Sequence, residues 1–233
     1  MNGTREVVLT RVRSALSAAS GERASDLPDA RQSNGRDRRA ETQVAAVGAG
    51  AVREPDADPG GQVELLAARL LDYGAQVIDV AADDVAPTLD SVLTTEGVVQ
   101  VAVPPDLPAA WRPPSLTVVD DHGLGAVELD ERDGAVTGST LAIAETGTLL
   151  LTGGPTEGRR ALTLVPDLHV CIVERSSVVA DAGAALVAVA PLVSDERRPL
   201  TFISGPSATS DIELHRVEGV HGPRRLVVLI VAD

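Results

Sequence analysis

The sequence predicts an α/β domain with a largely parallel sheet flanked by helices. Short runs of Val, Ile and Leu recur along residues 61–233, and stretches with the apolar spacing of a helix separate many of them. These runs do not alternate strictly with polar residues, which is typical of parallel strands that are covered on both faces. The chain is 44% hydrophobic and 23% charged, so enough apolar material is present for a sizeable core.

The individual elements follow from this pattern in chain order. Helical spacing of apolar residues predicts helices at 63–71, 83–95 and 176–190, the first ended by Gly74 and the last capped by Ser176 or Ser177. Apolar runs predict strands at 75–80, 98–103, 116–120, 169–174, 200–204 and 226–232. Two further apolar runs within 141–152 stand on either side of Glu145-Thr146-Gly147.

The first 60 residues differ in composition from the rest and divide into two parts. They hold nine Arg against nine Asp and Glu, so residues 61–233 carry the whole net charge of −14. Residues 1–19 contain apolar positions at helical spacing, which predicts an N-terminal amphipathic helix. Residues 20–60 are rich in Ala, Gly, Pro, Arg and Asp without periodicity, which is typical of a flexible linker. The α/β domain is therefore expected at 61–233.

The composition also excludes or disfavours several classes of site. The chain has no lysine, which excludes Walker-type phosphate loops and Schiff-base chemistry. Its single cysteine, Cys171, excludes an intrachain disulfide and a four-cysteine metal cluster. The acidic charge and the three aromatic side chains disfavour nucleic acid and anionic membranes as partners. We therefore expect no metal or cofactor in this chain and no membrane insertion, and we expect a cytoplasmic protein because the N-terminus has no apolar stretch typical of a signal peptide.

The strongest candidate for a ligand site follows the strand at 200–204. Ligands in open α/β sheets usually lie beyond the carboxyl ends of the strands. The segment 205–213 begins with Gly205 and contains Ser207, Thr209 and Asp211 before a predicted helix. Hydroxyl groups and the amides of a helix start favour an anion such as phosphate or carboxylate. An ordinary helix cap explains the same residues, so both interpretations stay open.

Glu145 is the candidate working carboxylate. It lies between two apolar runs, together with Thr146 and Gly147. A carboxylate in apolar surroundings has a raised pKa and can act as an acid, a base or a nucleophile. A turn in which Glu145 simply faces water is the alternative.

Two basic segments are candidates for contacts to an anionic ligand. His221 and Arg224 lie in a turn before the last strand, and the adjacent Arg159 and Arg160 lie before the strand at 169–174. The same arginines could form salt bridges within this acidic domain. We expect Cys171 to be an inert buried thiol, and His169 to be a hydrogen-bonded core histidine.

Four segments together resemble a known family. They are AIAETGTLLL (142–151), RRALTLVPDLHVCIVE (159–174), ISGPSATSDIE (203–213) and GVHGPRRLVVLIV (219–231). In this order they closely resemble the LUD-domain family, the lactate-utilisation protein C group. Where that family commonly has an arginine after Gly-Pro-Ser, this chain has Ala208.

The resemblance implies both a fold and a role. The implied fold is similar to that of ribose-phosphate isomerases, sugar-phosphate deaminases and CoA transferases. The implied role is the oxidation of L-lactate to pyruvate, alongside iron–sulfur partner proteins. The resemblance implies no catalytic residues.

Three hypotheses of function remain open at this point. In the first, the chain is a component of an L-lactate utilisation system whose iron–sulfur subunits are other chains. In the second, it is a stand-alone enzyme or binder of a small phosphorylated or CoA-linked acid that uses Glu145. In the third, it is a non-catalytic assembly module, and an oligomer is compatible with all three.

The candidate site residues are expected to meet in space. We predict that Glu145, Thr146, Ser207, Thr209 and Arg224 converge at one end of the sheet. The other candidate ligand-binding residues are Gly147, Arg160, Gly205, Asp211 and His221.

Overall fold

The computed structural model describes residues 59–207 and 222–232. The predicted N-terminal helix and linker, and the candidates Thr209, Asp211 and His221, lie outside them. The helices are α1 (Pro59–Asp72), α2 (Val85–Thr95), α3 (Ala126–Asp130) and α4 (Ala182–Ser194). The strands are β1 (Gln76–Val80), β2 (Gln100–Val103), β3 (Thr117–Asp120), β4 (Gly134–Gly138), β5 (Leu141–Ile143), β6 (Thr148–Leu151), β7 (Leu168–Glu174), β8 (Val178–Val179), β9 (Thr201–Ile203) and β10 (Arg225–Val231).

The larger sheet has six strands in the order β1-β10-β7-β4-β2-β3, and every neighbouring pair is parallel. Its central strand β7 is buried from Leu168 to Val173, and β10 is buried from Leu226 to Val231. Continuous burial explains why these strands consist of consecutive Val, Ile and Leu residues instead of an alternating pattern. The predicted α/β fold with a parallel sheet is confirmed.

A second sheet has four strands in the order β8-β5-β6-β9. The two apolar runs around Glu145 form its central antiparallel hairpin, β5 and β6. Strand β9 pairs with β6, and Leu149 lies opposite Ile203. The strand predicted at 200–204 is therefore an edge strand of this smaller sheet and not a member of the parallel sheet.

The helices and sheets form layers around the parallel sheet. Helix α2 packs through Val85, Leu89 and Leu93 on one face. The other face packs against α1 and the inner face of the smaller sheet. Helix α4 covers the outer face of the smaller sheet through Ala185 and Val189. None of the helices in the described ranges combines the length and the apolar character needed to cross a bilayer.

The start of α4 corrects the prediction of a helix capped by Ser176 or Ser177. Residues Arg175–Ser177 form a 3-10 turn, and β8 then pairs with β5. The helix begins only after Asp181, whose side chain accepts a hydrogen bond of 2.8 Å from the backbone N–H of Ala184. The strand pairing of β8 therefore delays the helix by six residues relative to the predicted start at 176.

Strand β4, a central strand of the parallel sheet, was not predicted from the sequence. Its sequence is Gly-Ala-Val-Thr-Gly, and glycine at both ends is more typical of a turn. Gly134 has a specific reason to be glycine here, because a Cβ atom at this position would lie 3.1 Å from the carbonyl oxygen of Leu168 on the neighbouring strand. Close approach of the two backbones explains a composition that resembles a turn.

Candidate functional site

A cavity of about 150 Å³ lies where the end of β9 meets the amino ends of β7 and β10. Four parts of the chain contribute to it: the 3-10 helix Arg160–Thr163, the first residues of β7 and β10, the end of β9 with the segment that follows it, and Gly222 with Pro223. Its polar lining residues are Arg160, Thr163, His169, Ser204 and Ser207. Its apolar lining includes Phe202, Ile203 and Leu226.

Backbone geometry after β9 shapes one wall of this cavity. Gly205 has a φ of 87°, a conformation that favours glycine. A Cβ atom on Gly205 would lie 2.6 Å from the Cβ of Tyr73, so a side chain is also excluded by the end of α1. Two residues later, the N–H of Ser207 donates to the carbonyl of Pro223 at 2.8 Å. This bond joins the segment after β9 to the segment before β10.

His169 forms the buried floor of the cavity. Only 1% of the residue is exposed, and its Nε2 lies 2.8 Å from the hydroxyl of Thr137 on β4. Burial lowers the pKa of His169 to about 4, and the positive charge of Arg160 lowers it further in the same direction. The imidazole is therefore neutral at pH 7. Its other ring nitrogen, Nδ1, has no hydrogen-bond partner within the described residues.

Arg160 is the positively charged side chain in the described lining. Its Nη1 donates to the carbonyl of Thr163 at 2.9 Å and to the Thr163 hydroxyl at 2.6 Å. The Thr163 hydroxyl in turn donates to the carbonyl of Arg160 at 3.2 Å. Within residues 59–207 and 222–232, no carboxylate pairs with Arg160. Its charge is held in place by Thr163 but is not neutralised there.

The adjacent Arg159 forms a salt bridge within the domain, which is the alternative that the sequence left open for these arginines. It forms a two-bond ion pair with the buried Asp121, with distances of 2.6 and 2.7 Å. Burial raises the pKa of Asp121, but the bonds from Arg159 and from the N–H groups of Leu124 and Gly123 outweigh this effect, so the pKa lies below its usual value. Arg159 therefore stabilises the loop after β3 and is not available to a ligand.

A chain of hydroxyl groups connects the β5–β6 hairpin with the cavity. The hydroxyls of Thr146 and Thr148 lie 2.8 Å apart, and the hydroxyl of Thr148 lies 2.7 Å from that of Ser204. Ser204 lines the cavity. Thr146 is therefore linked to the cavity through two hydrogen bonds, although it does not line it.

The structure brings some of the predicted site residues together and separates others. Arg160, Gly205 and Ser207 line one cavity although 47 residues separate the first from the last. Glu145 is exposed in the hairpin turn, and its backbone N–H donates to Ala180. The side chains of Arg224 and Asp167 form an ion pair. Neither Glu145 nor Arg224 is part of the described lining, and their roles in a site stay predictions.

Gly147 has a structural role at the same hairpin. Its φ is 61°, and a Cβ atom there would lie 2.5 Å from the Cβ of Arg69 on α1. The hairpin turn therefore needs glycine at this position to pack against α1, and no contact with a ligand is required to explain it.

The contributions of Thr163 and Ser204 to the cavity were not predicted from the sequence, and His169 was predicted only as a core residue. His169 is buried and hydrogen-bonded as predicted, yet it also faces the cavity. The segments 159–174 and 203–213 contain all three residues, so the motifs themselves were the available signal. The 3-10 turn that brings Thr163 next to Arg160 has no clear pattern in the sequence.

Glu157 is a second residue that the sequence analysis did not identify. It is 3% exposed, and its carboxylate accepts bonds from the N–H groups of Thr152 and Gly154, at 2.6 and 2.9 Å, and from the Thr140 hydroxyl at 2.5 Å. These bonds fix the loop that leads from β6 to Arg160. Glu157 therefore positions the cavity wall, and both of its carboxylate oxygens already accept hydrogen bonds from the protein.

The site has the chemistry of a receptor for a small anion. The described lining contains one guanidinium group, one neutral imidazole, three hydroxyl groups and no carboxylate. These groups can donate hydrogen bonds to an anion, and no carboxylate among them would repel it. In the described part of the chain, no three His, Cys, Asp or Glu side chains lie close enough together to hold a metal ion.

Comparison with protein families places the same residues in a known domain. The family model described as LUD domain matches residues 127–231, which includes every lining residue of the cavity. "Lactate utilization protein C" of Deinococcus radiodurans is 46% identical over 164 residues, which cover 70% of this chain and 76% of that protein. "Lactate utilization protein C" of Shouchella clausii is 33% identical over 124 residues, and this match spans about half of each chain, 52% and 54%.

A solved structure supports the same relationship. The crystal structure described as a DUF162 family protein from Deinococcus radiodurans is 36% identical to this chain and superposes with a TM-score of 0.65. The match covers 75% of this chain and 98% of the crystallised one. The described α/β architecture is therefore shared with an experimentally determined structure.

Proposed function

We propose, because the chain belongs to the LUD domain family, that it is a component of an L-lactate utilisation system and takes part in the oxidation of lactate to pyruvate. The observation that carries this proposal is the 46% identity with a protein named "Lactate utilization protein C", over 76% of that protein's length. The cavity around Arg160 and His169 supports it, since lactate and pyruvate are both small anions.

The proposed system includes iron–sulfur proteins as partners. The oxidation of lactate releases two electrons, which need an acceptor. One cysteine cannot supply the four thiolates of an iron–sulfur cluster, so the electron carriers of the proposal are other chains. Burial raises the pKa of the Cys171 thiol to about 12, which further disfavours it as a metal ligand.

The experiment that tests this role is deletion and complementation in the native cell. We expect the deletion strain to lose growth on L-lactate as sole carbon source and to keep growth on pyruvate, and the intact gene to restore growth on lactate. An affinity-tagged copy purified from lactate-grown cells should carry iron–sulfur proteins with it. Normal growth of the deletion strain on lactate would refute the proposed role.

A further inference from the structure

We propose that the cavity binds a short 2-hydroxy or 2-oxo monocarboxylate, with its carboxylate at Arg160 and its C2 oxygen at the Nδ1 atom of His169. The choice of a three-carbon acid rests on the proposed function. The choice of a monocarboxylate with a neighbouring oxygen rests on the charges and hydrogen-bond groups of the cavity itself.

The charge of the described lining favours a monoanion. Arg160 is its one formally charged side chain, and His169 is neutral at pH 7. Three other arginines adjoin lining residues in the described sequence, and each forms an ion pair with a carboxylate: Arg159 with Asp121, Arg224 with Asp167, and Arg225 with Glu96. A single positive charge matches a monocarboxylate, whereas a phosphate ester or a CoA pyrophosphate carries two or more negative charges.

The geometry of Arg160 leaves one edge of its guanidinium for a ligand. Nη1 is bound to the carbonyl and hydroxyl of Thr163, which holds the group in one orientation. The Nε and Nη2 groups have no acceptor among the described residues. These two N–H groups form a parallel pair that binds both oxygens of a carboxylate.

The unpartnered nitrogen of His169 is the second feature that indicates a ligand. His169 lines the cavity and its Nε2 atom is bound to Thr137, so Nδ1 is the ring nitrogen that is left for a ligand. A neutral imidazole donates from one nitrogen and accepts at the other, and the Thr137 hydroxyl can serve either role at Nε2. Nδ1 can therefore donate to the carbonyl of a 2-oxo acid or accept from the hydroxyl of a 2-hydroxy acid.

The remaining lining matches the rest of such a molecule. Ile203 and Leu226 provide an apolar surface on which a methyl group can pack. Ser204 and Ser207 contribute hydroxyl groups to the same cavity. A volume of about 150 Å³ accommodates an acid of three or four carbons.

A ligand series tests the inference on the unaltered full-length chain. Isothermal titration calorimetry at pH 7 compares L-lactate, pyruvate, propionate and inorganic phosphate. Propionate has the same carbon chain and charge as lactate but lacks the C2 oxygen. We expect lactate and pyruvate to bind about fivefold more tightly than propionate, because one neutral hydrogen bond typically contributes about this much to affinity. We expect phosphate to bind more weakly than lactate. Equal affinities for lactate and propionate, tighter binding of phosphate, or no binding of lactate would each overturn the inference.

Matched variants test the two residues separately. Arg160→Gln should weaken lactate and propionate alike by about 30-fold, since both lose a charge-assisted bond. Arg197→Gln removes the same charge from an exposed side chain outside the cavity and should change neither affinity. His169→Gln should weaken lactate but not propionate, so that the two affinities become nearly equal. The inference fails if Arg160→Gln and Arg197→Gln bind lactate equally well.

The binding experiments and the growth experiments can fail independently. Binding that depends on Arg160, together with normal growth of the deletion strain on lactate, would keep the ligand assignment and refute the proposed role. Loss of growth in the deletion strain, together with no binding by the purified chain, would keep the role and refute the ligand assignment. If His169→Gln does not fold, the comparison of lactate with propionate on the unaltered chain still decides the matter.

Discussion

Acidification from pH 7 to pH 5 should destabilise this domain through one buried histidine. His169 is 1% exposed, and its pKa is lowered to about 4 in the folded chain, first by burial and then by the charge of Arg160. In the unfolded chain a histidine titrates near its ordinary value of about 6.5. Between these two values the unfolded state binds a proton that the folded state does not. The free energy of unfolding therefore falls as the pH drops from about 6.5 to about 4.

The size of the effect follows from the two pKa values. Each unit of pKa difference corresponds to about 1.4 kcal/mol. About 1.5 of the 2.5 units between the folded and unfolded values lie above pH 5, so His169 alone should remove about 2 kcal/mol between pH 7 and pH 5. This is a substantial fraction of the 5–15 kcal/mol that is typical of a whole domain.

Urea unfolding at pH 7 and pH 5 measures this quantity directly. The change in unfolding free energy between the two pH values is compared for the unaltered chain, His169→Gln and His122→Gln. His122 is exposed, so its replacement should leave the pH dependence unchanged, whereas His169→Gln should reduce it by about 2 kcal/mol. The absolute stability of His169→Gln does not enter the comparison. Retention of the full pH dependence by His169→Gln would contradict this prediction.

Four further predictions concern residues in and around the site. Glu157→Gln should lower the free energy of unfolding by about 2–3 kcal/mol, because the carboxylate is buried and accepts four hydrogen bonds. Glu145→Gln, at an exposed position, should leave the urea midpoint unchanged. The same Glu145→Gln variant tests the role predicted for Glu145, since loss of growth on lactate would support a working carboxylate and full growth would contradict it. Gly205→Ala should lower stability by about 1–3 kcal/mol in thermal unfolding, because its φ of 87° and its contact with Tyr73 both oppose a Cβ atom. The Cys171 thiol should react with a maleimide only after the chain is unfolded, and labelling of the native chain at pH 7 would show that the strand opens.

The elements that the sequence predicted correctly are those with a strong and self-contained pattern. Helix α2 and strands β7 and β10 have apolar spacing that does not depend on their neighbours. Strand β4 was missed because its small residues are explained by contact with β7, which is 30 residues away in the chain. The start of α4 was misplaced because β8, two residues long, pairs with β5. Pairings between strands that are distant in the chain cannot be predicted from the local sequence pattern alone.

The candidate site could be predicted only in part for a related reason. Arg160, Gly205 and Ser207 were identified because hydroxyl, glycine and arginine residues stood out beside predicted strands. Which of two adjacent arginines pairs with an acid depends on the tertiary position of Asp121, 38 residues earlier. The sequence could therefore nominate both Arg159 and Arg160 but could not separate them. The free nitrogen of His169 is likewise visible only once Thr137 is placed beside the ring.

The position of the cavity departs from the general expectation for parallel sheets, and the structure shows why no ligand site lies at the carboxyl end of β4. Ligands usually bind beyond the carboxyl ends of the strands. Here the carboxyl end of β4 is filled by protein, because the N–H of Gly138 donates a hydrogen bond of 2.8 Å to the carbonyl of Thr156. The space beside Gly138 is also occupied: a Cβ atom on this residue would lie 2.8 Å from the Thr156 hydroxyl and 3.3 Å from the ring of Trp111.

The loop that fills the carboxyl end of β4 also serves the cavity at the other end of the sheet. Glu157 fixes this loop by accepting hydrogen bonds from the backbone N–H groups of Thr152 and Gly154, and Arg160 follows only three residues later. The 3-10 turn then delivers Arg160 and Thr163 to the amino end of β7, where His169 begins the buried part of the site. The second sheet contributes the opposite wall through β9. The cavity therefore arises from the packing of a second sheet on the first, and not from the strand order of the parallel sheet.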